Sequence, residues 1–164
     1  MYQIHQVRDL QVNFSLRPSK DDYFIEIAKT VATQGTCVRR TVGCVLVNKR
    51  NHILATGYNG VYAGSPHCID KPCRGAEHTS GQGLEVCEAI HAEQNALLQC
   101  HNIHDIEKCY CTVSPCMTCI KLLLNTSCRN LIFPTLYIDA EPLELWTKAK
   151  RKFKIYERPF QTRQ

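Results

Sequence analysis

The chain has 164 residues, 44% of them apolar and 21% charged, with 20 Lys plus Arg against 15 Asp plus Glu for a net charge of +5. That length fits a single domain, 1–164, able to bury about two-thirds of its unfolded surface, and no apolar run approaches the roughly 20 residues of a membrane span. The mild basic excess suits an anionic ligand, but no dense basic stretch interleaved with aromatics appears, so no polynucleotide partner is expected.

Much of the excess falls in "KAKRKFKIYERPFQTRQ" (148–164), which also reads as a solvated helix face leading into an edge strand. The start, "MYQIHQVRDLQVNF", lacks a charged-then-apolar signal pattern and reads as irregular, so a cytoplasmic location is expected. In a reducing compartment, eleven cysteines argue against a disulfide framework and for metal ligands plus small buried thiols.

In chain order, Ser19 is a candidate helix cap, with Asp21 and Asp22 in the first turn where they complement the dipole. Phe24, Ile27, Ala28 and Val31 form one apolar face, and Gly35 is expected to end the helix. "VGCVLV" (42–47), a turn at "NKRN" and "HILATGY" (52–58) predict a β-hairpin. From 59 to 83 the chain is rich in Gly, Pro, Cys and His, an irregular insert whose length implies function or tethering. A helix at about 85–100 is predicted next, then a strand at 109–113 and a helix at about 116–126. A strand at 130–133, a helix at 142–150 and a strand at 153–156 complete the chain. Two strands followed by alternating helices and strands predict an α/β fold: a three-layer α/β/α sandwich on a mixed, roughly five-stranded sheet.

Cys116 and Cys119, in "SPCMTC", are three apart, so both thiols fall on one face of a helix's first turn. The helix N-terminus favours their thiolate forms. With His91 as third ligand they suit Zn²⁺ held tetrahedrally with one open position, the arrangement that catalytic zinc requires. Zinc in such a site lowers the pKa of water to about 7, and Glu93 is placed to take that proton and pass it on. A lone Cys-x-x-Cys is often a redox or structural motif, and a lone His-x-Glu occurs by chance. Together, in this order and with a helix–strand–helix between them, they match the zinc nucleobase deaminase signature. A closed structural zinc would want a fourth ligand and would leave Glu93 without a role.

From about Asp21 to Phe133 the sequence resembles the deoxycytidylate (dCMP) deaminases of the cytidine deaminase-like superfamily. The likeness rests on "TVGCVLV", "TGYNGVYAG", "IHAEQNALL" and "CYCTVSPCMTC" in that order. The resemblance implies the sandwich fold and the zinc ligands His91, Cys116 and Cys119, with Glu93 as proton shuttle. It also implies Asn59 on the sugar hydroxyl and the Ala92 backbone N–H on the pyrimidine O2. The implied reaction is attack at C4 of cytosine, protonation of N3 by Glu93, and release of ammonia and dUMP, without a redox cofactor. Where many relatives carry "SKDP", this chain has "CVRRTVGC" (37–44), so Arg39 and Arg40 are the candidate phosphate clamp, one or both alternatively solvated. The resemblance further implies a homo-oligomer, often a hexamer, with dCTP and dTTP as effectors.

A second, structural zinc is expected in the insert. Related enzymes with such a zinc take ligands at positions matching Cys37 and Cys68, and spacing adds Cys73 and Cys87, with His67 and His78 nearby. The alternative is a set of reduced thiols in a flexible loop. Cys44, Cys100, Cys109, Cys111 and Cys128 fall in or beside regular elements and read as small buried hydrophobes. Competing functions are a cytidine, dCTP or tRNA nucleobase deaminase of the same superfamily, and a non-catalytic nucleic-acid-binding zinc module or accessory protein.

Overall fold

A computed structural model describes residues 17–137 and 139–157. The start that the sequence reads as irregular and the last seven residues of the basic tail lie outside the described residues. The elements are α1 (Lys20–Ala32), β1 (Gly43–Val47), β2 (Ile53–Tyr58), α2 (Ala92–Gln99), β3 (Lys108–Cys111), α3 (Met117–Leu124), β4 (Asn130–Phe133), α4 (Glu141–Lys148) and β5 (Lys152–Ile155). They build one five-stranded mixed sheet in the order β2-β1-β3-β4-β5. β1 pairs antiparallel with both β2 and β3, whereas β3, β4 and β5 run parallel.

Strand alternation sorts the core into two faces. Cys44 and Leu46 of β1, Cys109 and Cys111 of β3, and Leu131 and Phe133 of β4 face α2, α3 and α4. Val45, Val47, Tyr110 and Ile132 face Phe24, Ile25 and Ala28 of α1. The result is the expected sandwich, with one outer layer heavier than the other.

Local chemistry explains most element ends. Ser19 and Asp22 form a reciprocal capping box at α1, the Asp22 N–H donating to Ser19 Oγ at 3.1 Å and the Ser19 N–H to Asp22 Oδ2 at 2.9 Å. The hairpin turns at Asn48, whose Oδ1 accepts from the Arg50 and His52 N–H groups at 2.9 Å each, and at Asn51, whose φ of 60° suits an asparagine. The helix stop is not as expected. α1 ends at a right-handed Thr33 cap, and Gly35 is not among the positive-φ residues.

The larger correction concerns α2, which begins at Ala92 rather than near 85. Leu84–Val86 make one 3₁₀ turn, and Ile90 then pairs with Gly60 in an isolated bridge through N–H···O bonds of 2.8 and 3.1 Å. That bridge holds the chain extended up to His91, so a helix-like apolar spacing in "LEVCEAI" never becomes helical. A tertiary pairing outweighed a local pattern. α2 sits directly on β2: a Cβ at Gly57 would lie 2.2 Å from the Ala92 carbonyl oxygen and 2.3 Å from the Ala96 nitrogen. No helix among the described residues is long and apolar enough to cross a membrane.

Candidate metal centre and active-site pocket

His91 caps α2 and Cys116 caps α3, both with extended backbone. The Gln94 side chain accepts from the His91 N–H at 2.8 Å, which fixes the start of α2. His91 Nδ1 lies 3.4 Å from the Cys116 sulfur and 3.5 Å from the Cys119 sulfur, and the three ligand atoms fall within 4.8 Å of one another. A tetrahedral zinc with bonds of about 2.0–2.3 Å spaces its ligand atoms about 3.5–3.8 Å apart. The donor set and its spacing fit zinc, and His91 and Cys116 line the pocket. A hydrogen bond from Cys119 draws the Cys116 thiol down to about 4 against the opposing effect of burial, with His91 helping. His91 is raised in turn, chiefly by Cys116. Cys119, the donor of that hydrogen bond, is pushed strongly up, so Cys116 is the thiolate of the pair and a bound metal would have to displace the Cys119 proton.

Glu93 stands in the first turn of α2 and is only 4% exposed. Burial pushes its carboxyl up to about 7, with its own backbone N–H and His91 pulling the other way. It opens on the same pocket as His91, Cys116, Ala92 and Asn59. Ala92 is fully buried. Asn59 uses its amide on backbone: Oδ1 accepts from Val42 N–H at 2.7 Å and Nδ2 donates to the Arg40 carbonyl at 2.8 Å. One amide proton and one lone pair remain for a ligand.

The two arginines take different places. Arg39 Nη1 donates to the carbonyls of Gln82 at 2.7 Å and Thr79 at 3.3 Å, tying the insert across the pocket. Its guanidinium also faces the thiols of Cys87 and Cys37, which raise its pKa against the opposing effect of burial. Arg40 lies over the Tyr137 ring, 5.5 Å from its centroid, and both line the pocket. Tyr137 and Ser114, whose Oγ accepts the Tyr137 N–H at 2.7 Å, are pocket residues that sequence reasoning missed. No periodicity or motif marks Tyr137; only the fold brings it there.

The four insert cysteines are brought together in part. Cys68 and Cys73 sulfurs are 3.8 Å apart, and Gly75 packs on Cys87, where a Cβ would meet the Cys87 Cα at 2.7 Å. Cys37 and Cys87 line the pocket wall. Among the described residues these four do not form a group of three with ligand atoms within 4.8 Å, whereas His91, Cys116 and Cys119 do. His78 packs under Gly83 and joins no such group.

A family model described as "Cytidine and deoxycytidylate deaminase zinc-binding region" matches residues 18–135. A deoxycytidylate deaminase of Schizosaccharomyces pombe is 34% identical over 159 residues, covering 94% of this chain and 49% of its own length. One of Mycobacterium phage D29 is 36% identical over 124 residues, covering 72% of this chain and 96% of its own. The chain thus spans about half the length of the yeast relative and nearly all of the phage one. Among solved structures, a cyanophage S-TIM5 dCMP deaminase in complex with dCMP and dUMP superposes with a TM-score of 0.70 at 23% identity, over 85% of this chain and 98% of that one.

Proposed function

This chain belongs to the family of cytidine and deoxycytidylate deaminases, and we propose that it hydrolyses dCMP to dUMP and ammonia, a step that supplies deoxyuridylate for thymidine nucleotides. The observation that carries the reading is the meeting of His91, Cys116 and Cys119 beside a buried glutamate, on a pocket walled by two arginines. When bound by those three ligands, zinc supplies a Lewis acid that turns water into a nucleophile near neutral pH. Glu93 takes the proton of the attacking water, places it on N3 of the cytosine ring, and delivers a proton to the amine leaving C4. A carboxyl whose pKa is about 7 suits both the accepting and the donating role. The Ala92 N–H, unpaired by any helical bond at the start of α2, is the donor to the pyrimidine O2. Asn59 offers its remaining amide proton to the sugar hydroxyl. Arg40 is the principal handle for the 5′-phosphate, and Arg39 holds the insert closed over the bound nucleotide.

A second zinc is part of the same proposal, held by Cys37, Cys68, Cys73 and Cys87. Its support is the close Cys68–Cys73 pair and the packing of Gly75 on Cys87. Cys37 and Cys87, which face Arg39, would supply the remaining ligands, with Arg39 balancing their negative charge. Assembly into a homo-oligomer has a surface available to it, since Leu136, Phe153 and Ile155 are exposed around β5. Regulation by dCTP and dTTP, implied by the resemblance, is checked by initial rates with each added.

The test of the whole reading is a deamination panel over dCMP, CMP, dCTP, deoxycytidine and 5-substituted dCMP, with a tRNA substrate alongside. Preferred turnover of dCMP supports the assignment. Equal turnover of the free nucleoside, or turnover of tRNA alone, replaces it.

A further inference from the structure

Three thiols lie outside the pocket, on the sheet face beneath α2. Cys44 stands directly opposite Cys111 in the antiparallel β1–β3 pair, and Cys109 is two residues before Cys111 on the same strand. Strand parity puts all three on one face. Their exposures are 0%, 1% and 0% for Cys44, Cys111 and Cys109. Cys109 Sγ lies 3.5 Å from Cys44 Sγ and 3.5 Å from Cys111 Sγ, and all three sulfurs fall within 4.8 Å of one another. The opposite face of the same strands carries Val45, Val47 and Tyr110, the bulkier residues that β-strands favour. Small buried thiols alone fill space; three sulfurs within 4.8 Å of one another also make a ligand set.

We propose that Cys44, Cys109 and Cys111 form a three-sulfur site for a trivalent, thiophilic metalloid, with arsenous acid as its probe. Spacing is the first argument. Sulfur bonds of about 2.3 Å set in a shallow pyramid with angles near 100° hold sulfurs about 3.5 Å apart, whereas a planar three-coordinate ion spreads them to about 4 Å. The two 3.5 Å separations match the pyramid. Softness is the second, since thiolate donors select thiophilic ions over oxygen-seeking ones. Charge is the third. The three thiols are buried. Three thiolates around a monovalent or divalent cation leave net negative charge in that buried site, which is costly. Around a trivalent centre the product is neutral. The reaction balances without an oxidant: three As–O bonds break, three As–S bonds form, and each thiol proton leaves with a hydroxide as water. Arsenous acid is small and uncharged, so it reaches the site through local opening of α2 from the sheet.

The test uses the reduced, zinc-loaded full chain titrated with arsenite. Native mass spectrometry is expected to show one added arsenic less three hydrogens with zinc retained, and arsenic X-ray absorption to show three As–S bonds. Cys109→Ala and the volume-conserving Cys111→Val are expected to weaken uptake at least about tenfold, a loss of about 1.4 kcal/mol or more, whereas Cys68→Ala keeps it. In the unmodified chain, arsenite is expected to protect Cys44, Cys109 and Cys111 from pulse alkylation mapped by peptide mass, a readout that holds even where a variant fails to fold. No uptake, uptake that displaces zinc mole for mole, uptake lost in Cys68→Ala, or protection mapping to other cysteines each overturns the proposal.

Discussion

Arg39 donates a 2.7 Å hydrogen bond to the Gln82 carbonyl, joining the segment before β1 to a loop 43 residues further along. Arg40, its neighbour, instead lies over Tyr137 at the pocket wall. On the proposed assignment Arg39 is the strap and Arg40 the phosphate handle, and substitution should separate them. Arg39→Ala is expected to raise KM for dCMP and deoxycytidine alike, because the loop over the pocket is released. Arg40→Ala is expected to raise KM for dCMP by about tenfold or more, the loss of one charge-assisted bond, and to leave the slow nucleoside reaction nearly unchanged. Steady-state kinetics on both substrates distinguishes the roles; a dCMP-specific effect of Arg39→Ala refutes the strap.

Glu93→Gln is expected to keep zinc and lose turnover by at least about 10²-fold. The amide fits the same buried space at the start of α2 but carries no proton between water, ring and leaving amine. Metal analysis beside a rate assay decides the matter. Near-normal activity in a zinc-loaded variant removes Glu93 from the chemistry.

Zinc content is the third expectation. Undialysed, fully reduced protein should hold two zinc ions per chain, and Cys68→Ala should hold one. Its thermal midpoint should fall while kcat changes little, because that ion secures the insert rather than touching substrate. A single zinc in the unmodified chain rules the second site out.

The sandwich and its sheet were legible because strand parity and helix spacing were clean: Cys44, Leu46, Cys109 and Cys111 alternate against Val45, Val47 and Tyr110. The convergence of His91 with Cys116 and Cys119 was legible for a different reason, since ligand chemistry restricts residue type and spacing together. What the sequence hid depends on contacts between distant segments. The start of α2 is set by the Gly60–Ile90 bridge, and no local rule distinguishes "LEVCEAI" from a first helical turn. The charge of Arg39 is visible in sequence, whereas the Thr79 and Gln82 carbonyls it binds are not. The Cys44–Cys109–Cys111 cluster needed a strand register that only the folded sheet supplies.

Asp21 provides a pH-dependent test of how α1 is fastened to the sheet. Its Oδ1 accepts from Tyr110 at 2.9 Å and its Oδ2 from Lys154 at 2.6 Å. Burial alone would push the carboxyl up, but these two bonds outweigh it and hold the pKa below the ordinary 3.8. A depressed folded-state pKa stabilises the fold above the unfolded value, and the contribution disappears as pH falls through the folded value. Asp21→Asn is therefore expected to unfold at lower urea than the unmodified chain at neutral pH. The gap should hold at pH well above the ordinary carboxylate value and close as pH falls below it. Urea midpoints across that range check it; a gap that persists undiminished in acid means the carboxylate charge is not what fastens the helix.

The last expectation concerns substrate choice, with kcat/KM for dCMP exceeding that for deoxycytidine by at least about 10²-fold. The two molecules share the base and the sugar, so the residues proposed to hold those parts, Glu93, Ala92 and Asn59, should not discriminate between them. They differ in the 5′-phosphate, the only dianionic group, and Arg40 on the pocket wall is the proposed handle for it. A charge-assisted hydrogen bond contributes roughly 1.5–3 kcal/mol, so two such bonds suffice for the ratio. Because Arg39 already binds two carbonyls, most of the discrimination should fall to Arg40. Raising ionic strength should therefore lower kcat/KM for dCMP more than for the nucleoside, since a charged handle is screened and an uncharged base is not. Equal rates on nucleoside and nucleotide would mean that the arginines serve only to shape the pocket, and a nucleoside deaminase would then be the better description of the chain.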